Sequence, residues 1–308
     1  MALRKKQAMA LCLAVVLLAC VFPVAPAGAD EPEVRTGAFD AVFGERCSAS
    51  NLVNILRRMQ CRPQANPSLG NNYRIGNERY SVYVPPGYSE DAGYGLLVWI
   101  SAGERGDMPQ GWETLLDKHK LIWVGAHRSG NQHNVPARRM ALALDAVYNM
   151  RKRYKIERDR VYVSGISGGG RAASILAMHY PDIFRGGVFV VGVDCWREIA
   201  IPGQPGRVWK PMPKPRPQYL GMARRRGRYV LLTGDNDFNR RQTQEFYEKG
   251  YRKSLRHVLY LQVPGMGHGM PPAEWYEKAL VFLDTAGTRA KTPTQKAPSG
   301  QPPSQKPK

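Results

Sequence analysis

Val161-Tyr162-Val163-Ser164-Gly165-Ile166-Ser167-Gly168-Gly169-Gly170-Arg171-Ala172 is the stretch that decides the fold of this 308-residue chain. A β-type run reaches Ser164, and Ala172 to His179 reads as helix. Between them lies Gly-x-Ser-x-Gly centred on Ser167. A strand that becomes a helix within about one residue leaves that serine strained and exposed. A Cβ at Gly165 or Gly169 would collide with neighbouring backbone, so small residues are required there. The N–H of Gly168 sits at the start of the new helix and can face a developing oxyanion. The stretch predicts Ser167 as a nucleophile. A glycine-rich turn with a bystander serine is the competing reading.

A serine at neutral pH needs a base, and the base needs an orienting group. The chain has six histidines. Of these, His268 lies in a glycine-rich loop after a late strand, Val263-Pro264-Gly265-Met266-Gly267-His268-Gly269. That places it toward the carboxyl edge of a sheet. His257 precedes its strand and faces the wrong end, and His179 closes the helix after the serine as a C-terminal cap. The acid is expected after the preceding strand, in Gly234-Asp235-Asn236-Asp237. Asp237 is favoured. Asp235 can instead fix the turn through backbone N–H groups, and Asp194 is a third candidate.

Strand patterns recur at Arg79–Val84, Leu96–Ile100, Leu121–Val124, Gly187–Gly192, Tyr229–Leu232 and Val258–Val263. Helical patterns fall at 50–58, 112–119, 136–154, 240–252 and 273–283. Strands alternating with helices predict an α/β protein with one mostly parallel sheet covered on both faces. Residues 30–50 read as loose. The segment from Gly203 to Gln218 has five prolines interleaved with Arg207, Lys210, Lys214 and Arg216, and reads as irregular. With Trp209 it is expected to border a substrate entrance and attract anionic groups.

At the N-terminus, Arg4, Lys5 and Lys6 precede an apolar run to Val24, and Ala27-Gly28-Ala29 offers small residues for cleavage. This predicts a signal peptide over 1–29 and an exported protein, periplasmic or extracellular. Leu17-Leu18-Ala19-Cys20 loosely resembles a lipobox, a minor alternative of lipid anchoring through Cys20. Cys47, Cys61 and Cys195 remain after cleavage, so one disulfide is expected, with the pairing open. No Cys-x-x-Cys or Cys/His cluster appears, so no metal is expected. The formal charge is +20, and cleavage removes only three positive charges. Such a surface attracts anionic envelope polymers or membranes. No nucleic-acid motif accompanies it, and nucleic acid is not an expected partner. The expected division is 1–29 signal, 30–72 N-terminal extension, 73–284 catalytic domain and 285–308 disordered basic, proline-rich tail.

The order Ser167, Asp237, His268, each at a strand end, resembles the α/β-hydrolase superfamily. Arg160-Val161-Tyr162-Val163-Ser164-Gly165-Ile166-Ser167-Gly168-Gly169 and Tyr83-Val84-Pro85-Pro86-Gly87-Tyr88 are similar to secreted esterases related to poly(3-hydroxybutyrate) depolymerases and feruloyl esterases. The resemblance covers about 80–283. It implies an α/β-hydrolase fold with a central sheet of about eight strands, the serine after the fifth strand and the oxyanion loop after the third. It also implies hydrolysis of a small or polymeric carboxylic ester through an acyl-enzyme, without a cofactor. The oxyanion amides would be those of Gly168 and of Ala102 or Gly103. Two positions depart from the pattern. Ser101-Ala102-Gly103-Glu104 replaces the usual His-Gly, and Gly169-Gly170 stands where relatives often have Asn-Gly. Glu104 is expected to point away, toward Arg105 or Arg128, or to read a substrate group. A serine peptidase of the same fold and a non-catalytic envelope binding protein are the alternatives.

Overall fold

The computed structural model describes residues 34–61 and 73–285. Expectations for the leader, Cys20 and the tail fall outside them, apart from Thr285 at the tail's start. Ten strands occur among the described residues: β1 Gly37–Val42, β2 Arg79–Val84, β3 Tyr94–Ile100, β4 Leu121–Ala126, β5 Ile156–Ile166, β6 Gly186–Val190, β7 Ile199–Ala200, β8 Val208–Trp209, β9 Arg228–Gly234 and β10 Val258–Val263. The helices are α1 Leu52–Arg58, α2 Glu113–Lys118, α3 Ala141–Arg153, α4 Gly168–His179, α5 Pro217–Arg226, α6 Arg240–Glu245, α7 Arg252–Ser254 and α8 Ala273–Asp284. A π-helical turn, Val135–Met140, leads into α3, and another, Phe246–Tyr251, joins α6 to α7.

Eight strands form one sheet in the order β1-β2-β4-β3-β5-β6-β9-β10. The β1–β2 and β2–β4 pairings are antiparallel, and from β4 to β10 every pairing is parallel. The central strands are apolar on both sides, as buried parallel strands must be. Leu96, Val98 and Ile100 pack in one cluster with α3 and α4. Leu97 and Trp99 pack in a second with Leu115 and Leu116 of α2 and Leu280 and Leu283 of α8. This is the mostly parallel sheet that the strand–helix alternation predicts, with the eight strands that the resemblance implies.

Three differences from the sequence reading have physical causes. Residues 37–42 are not loose: they form the edge strand, paired antiparallel with β2. Their order is reinforced at Asp145, a wholly buried carboxylate on α3. It accepts from Cys47 N–H at 2.8 Å and Tyr73 O–H at 2.7 Å, so the N-terminal segment supplies the donors this buried charge needs. Residues 217–226, read as the end of an irregular stretch and its sequel, form α5. Pro217 stands at its first turn, where a missing N–H costs nothing. Finally, Cys47, Cys61 and Cys195 are free thiols, not a disulfide and a leftover. Cys195 is buried against Gly250, and burial pushes the Cys195 and Cys47 thiols up to about 11.

Candidate active site

The elbow forms where β5 ends at Ile166 and α4 begins at Gly168. The helix starts at Gly168, a full turn earlier than Ala172, because the three glycines are its first turn. Ser167 has φ of 54°, a left-handed conformation that a side chain tolerates only when its surroundings impose it. Ser167 N–H donates to Val190 O of β6 at 2.8 Å. A Cβ on Gly165 would stand 2.5 Å from Ile100 O, and one on Gly169 2.0 Å from the same atom. Backbone packs directly on backbone here, so the elbow is held against the end of β3.

His268 bridges two strand ends. Ser167 Oγ lies 2.8 Å from its Nε2, and its Nδ1 lies 2.7 Å from Asp237 Oδ1. The Asp237 side chain is wholly buried, while the His268 side chain is 23 % exposed. Asp237 is oriented on every side. Its Oδ2 accepts from Thr233 Oγ1 at 2.7 Å, and its Oδ1 also accepts from Asn239 N–H at 3.0 Å. Asn239 Nδ2 in turn donates to Val191 O at 2.9 Å. Val191 has φ of 45°, so a β-branched residue is held strained at the end of β6, between acid loop and elbow. The histidine and acid loops are also joined by backbone. Asn236 N–H donates to Met266 O at 3.0 Å and Asp235 N–H to Val263 O at 3.2 Å.

The other two candidate acids are elsewhere. Asp194 receives Arg171 Nη1 at 2.8 Å. Asp235 is in the turn, where its Oδ1 is buried without a side-chain hydrogen bond among the described residues. The remaining histidines have other surroundings. His119 lies against Glu277 and Asp284, His127 accepts from Gly106 N–H, and His133 faces Glu104. His179 does not cap its own helix. Its Nε2 meets Pro213 O at 3.1 Å, and Arg58 Nε donates to the His179 carbonyl at 2.6 Å.

The loop after β3 lies beside the elbow, as the contacts of Gly169 with Ile100 and Ser101 require. Gly103 N–H is engaged by Ser101 Oγ at 3.1 Å. Glu104 turns neither to Arg105, which pairs with Asp107, nor to the Arg128 guanidinium, which pairs with Glu78. Its carboxylate faces Gln132 and His133. The proline-rich segment divides in two. Arg207 and Lys210 are exposed beside the β7–β8 hairpin, and Trp209 packs edge-on to Phe246 at 5.6 Å. Beyond them, Met212 N–H donates to Cys195 O, Pro213 O meets His179, and Arg216 Nη2 donates to Arg57 O. The 213–216 stretch therefore docks at the far end of α4, about 18 Å from Ser167 for a helix of 12 residues. Lys214 and Arg216 do not line an entrance at the serine.

Two neighbours of the site escaped the sequence reading. Phe238 stacks on the His268 ring at 4.0 Å between centroids, yet is 76 % exposed. An aromatic beside a suspected acid was its only signal. Asn131, on the loop after β4, lies against Gly168: a Cβ built there would meet its Oδ1 at 2.0 Å. Nothing local in the sequence marks it. Among the described residues no group of three or more His, Cys, Asp or Glu is gathered to hold a metal ion.

Fold and site define a class: the chain has the α/β-hydrolase fold. Comparisons with known proteins agree. The model of the prolyl oligopeptidase family matches residues 138–288, the part that carries Ser167, Asp237 and His268. Poly(3-hydroxyalkanoate) depolymerase C of Paucimonas lemoignei is 32 % identical over 135 residues, 38 % of this chain and 32 % of the relative. The aligned chain thus spans about a third of that relative's length. A ferulic acid esterase superposes with a TM-score of 0.51 at 14 % identity, over 80 % of this chain and 96 % of its own. The S-formylglutathione hydrolase of Staphylococcus aureus superposes with a TM-score of 0.50 at 13 % identity, over 71 % and 96 %. At these identities the structural likenesses speak for the fold.

Proposed function

We propose that the chain is an exported serine hydrolase of carboxylic esters. The observation that carries this is His268 standing within 2.8 Å of Ser167 Oγ and 2.7 Å of a buried carboxylate. In this reading Ser167 Oγ attacks the ester carbonyl as His268 Nε2 takes its proton. Asp237 holds the Nδ1–H tautomer and balances the imidazolium. The oxyanion is received by Gly168 N–H at the start of α4 and by Ala102 N–H, since Gly103 N–H is engaged within its own turn. His268 then protonates the leaving alcohol, and a water activated by the same ring releases the acid. Each proton moves through the histidine, so the steps call for no metal or cofactor.

The substrate side rests on Phe238 and the β7–β8 hairpin. An exposed ring stacked on the base offers a surface to an apolar or aromatic group of the ester. Arg207 and Lys210 would attract an anionic one, and Trp209 would border the entrance. The name of the Paucimonas lemoignei relative favours a polymeric ester. The prolyl oligopeptidase match favours a second reading, cleavage of short peptides by the same three residues. Export would follow from cleavage after Ala29.

A fluorophosphonate probe should label the wild-type chain and not Ser167→Ala. A panel of p-nitrophenyl esters, feruloyl esters, polyhydroxyalkanoate film and peptide p-nitroanilides then ranks the readings. Ester turnover that falls on the order of 10³-fold or more in Ser167→Ala is expected. Faster turnover of the anilides would make the peptidase the right reading, and an unlabelled, inert wild type would make the chain a binding protein. Export is checked by N-terminal sequencing of the fractionated protein, which should begin at Asp30. A lipid-modified Cys20 would contradict that cleavage.

A further inference from the structure

The loop after β4 is built against the oxyanion loop more firmly than an exposed connection needs. Arg128 N–H donates to Glu104 O at 2.6 Å, and Asn131 N–H to Ala102 O at 2.9 Å. The buried Arg139 donates to Ser129 O and Ser101 O, both at 2.8 Å, and so clasps the two loops from below. A Cβ on Gly130 would stand 2.8 Å from Gly103 O, which shows how closely the backbones approach. Glu104 is held by Gln132 and His133, residues of this same loop. The outcome is a fixed position for Asn131.

That position is the side of the elbow where the serine's own helix begins. A Cβ on Gly168 would meet the Asn131 carboxamide at 2.0 Å from Oδ1, 2.7 Å from Cγ and 3.0 Å from Nδ2. The carboxamide therefore lies directly beside Gly168, at the end of an exposed side chain that is free to turn. Asn131 is exposed, and no hydrogen bond joins its carboxamide to another described residue. A half-turn about χ2 exchanges its oxygen and nitrogen, so nothing in the protein opposes the sense that aims the N–H₂ at the site. Meanwhile Gly103 N–H is committed to Ser101 Oγ, so Gly168 and Ala102 are the candidate backbone donors that remain.

We propose that Asn131 is the side-chain member of the oxyanion hole. As the Ser167 Oγ–C bond forms, the carbonyl π pair moves onto oxygen and His268 takes the Oγ proton. The resulting oxyanion accepts from Gly168 N–H, Ala102 N–H and Asn131 Nδ2–H. When the intermediate collapses, the pair returns to the carbonyl and the leaving alcohol departs with the proton from His268. The charge exists only near the transition state, so the contribution of Asn131 falls on kcat. This inference rests on the ester-hydrolase reading and deepens it.

The test uses full-length protein and the best p-nitrophenyl ester. Asn131→Ala should lower kcat about 10- to 100-fold, with KM within about threefold and the thermal midpoint unchanged. A trifluoromethyl ketone analogue of the acyl group, which forms the same oxyanion on Ser167, should lose affinity in proportion to kcat/KM. Asn131→Asp keeps the shape and puts a carboxylate at the same place. Its deficit relative to wild type should be larger at pH 8 than at pH 5, where the carboxyl begins to protonate. This second variant decides the matter if the alanine variant folds poorly. A kcat for Asn131→Ala within about threefold of wild type, a loss confined to KM, or an Asn131→Asp deficit independent of pH would overturn the assignment. A wild type inert toward every ester would instead overturn the function on which it rests, and the assignment with it.

Discussion

Helix α4 begins and ends beside a histidine, and the two ends could hardly differ more. At the N-terminal end the chain is reduced to glycine so that backbone can touch backbone, and Ser167 is held at a positive φ. There His268 is partly exposed and faces a buried carboxylate. At the C-terminal end His179 is wholly buried and faces the carbonyl of Pro213. Arg58 closes this end, donating to the His179 carbonyl and lying 4.0 Å over the Tyr180 ring and 3.9 Å over Tyr219. Burial first, and the Arg58 guanidinium in addition, push the His179 pKa down to about 4. One imidazole has a counter-charge ready for the protonated form, and the other is kept neutral. Identity of side chain says little here; the neighbouring charge and the access of water set what each ring can do.

The sharpest way to break this contrast is to remove the counter-charge at the first end. Asp237→Asn should lower kcat on the order of 10³-fold, through the wrong imidazole tautomer, with thermal stability nearly kept. Asp194→Asn loosens Arg171, and Asp235→Asn alters a turn. Each should cost less than about tenfold in kcat, and the Asp235 variant should lose stability along with activity. A larger fall for Asp194→Asn would move the acid to the end of β6.

Next in size is the other histidine. Its folded pKa of about 4 lies below the ordinary value of 6.5. Between these values the unfolded chain binds the proton and the native one does not, so stability rises with pH across the window. As pH falls from 6.5 to 4, His179 should withdraw on the order of 3 kcal/mol, with no further change from this group below 4. Denaturant titrations at pH 4.5 and 7 measure it. In His179→Gln the difference between the two pH values should shrink by about 2 kcal/mol, the part of the effect that falls between them.

Gly169→Ala tests the claim that backbone contact shapes the elbow. Its Cβ would meet Ile100 O at 2.0 Å, a main-chain atom that cannot swing aside. A loss of about 1–3 kcal/mol in stability and a clear fall in kcat are expected. Ala177→Gly at the other end of the same helix should cost about 1–2 kcal/mol, through helix propensity and the loss of a buried methyl, and leave kcat alone.

The smallest effect expected is at Phe238. Removing a ring stacked on His268 forfeits about 0.5–1.5 kcal/mol of aromatic contact. Phe238→Ala should therefore lower kcat/KM several-fold for esters with an aromatic group and less for acetates, with stability lowered by no more than that contact, since the ring is otherwise exposed. Equal losses for both would mean that the ring only steadies the imidazole.

Much of this was legible before any coordinates. The central strands are continuous apolar runs, because each must bury both faces, and such runs stand out in a sequence. The elbow was legible because its glycines are steric requirements, and sterics act between near neighbours. Ser167, Asp237 and His268 could be chosen because each follows a strand, and parallel strands deliver their ends to one edge. Edge strand β1 was hidden for the opposite reason. Gly37–Val42 alternates weakly, with one face open to solvent, and its order comes from pairing with β2. Helix α5 had a signal in Pro217, obscured by the prolines before it.

What the sequence by itself determined, then, is the strand–elbow–helix, the parallel sheet around it and the order in which a serine, an acidic loop and a histidine arrive at its edge. These depend on local geometry and on the apolar periodicity of single segments, both written in consecutive residues. Only the tertiary structure decided which carboxylate meets His268, that Gly103 N–H is already engaged, and that the 213–216 stretch docks at His179. It alone brought Phe238 onto the base and Asn131 onto Gly168. Hydrogen bonds and van der Waals contacts act over a few ångströms in space, and no pattern along the chain records which distant loops come within that range.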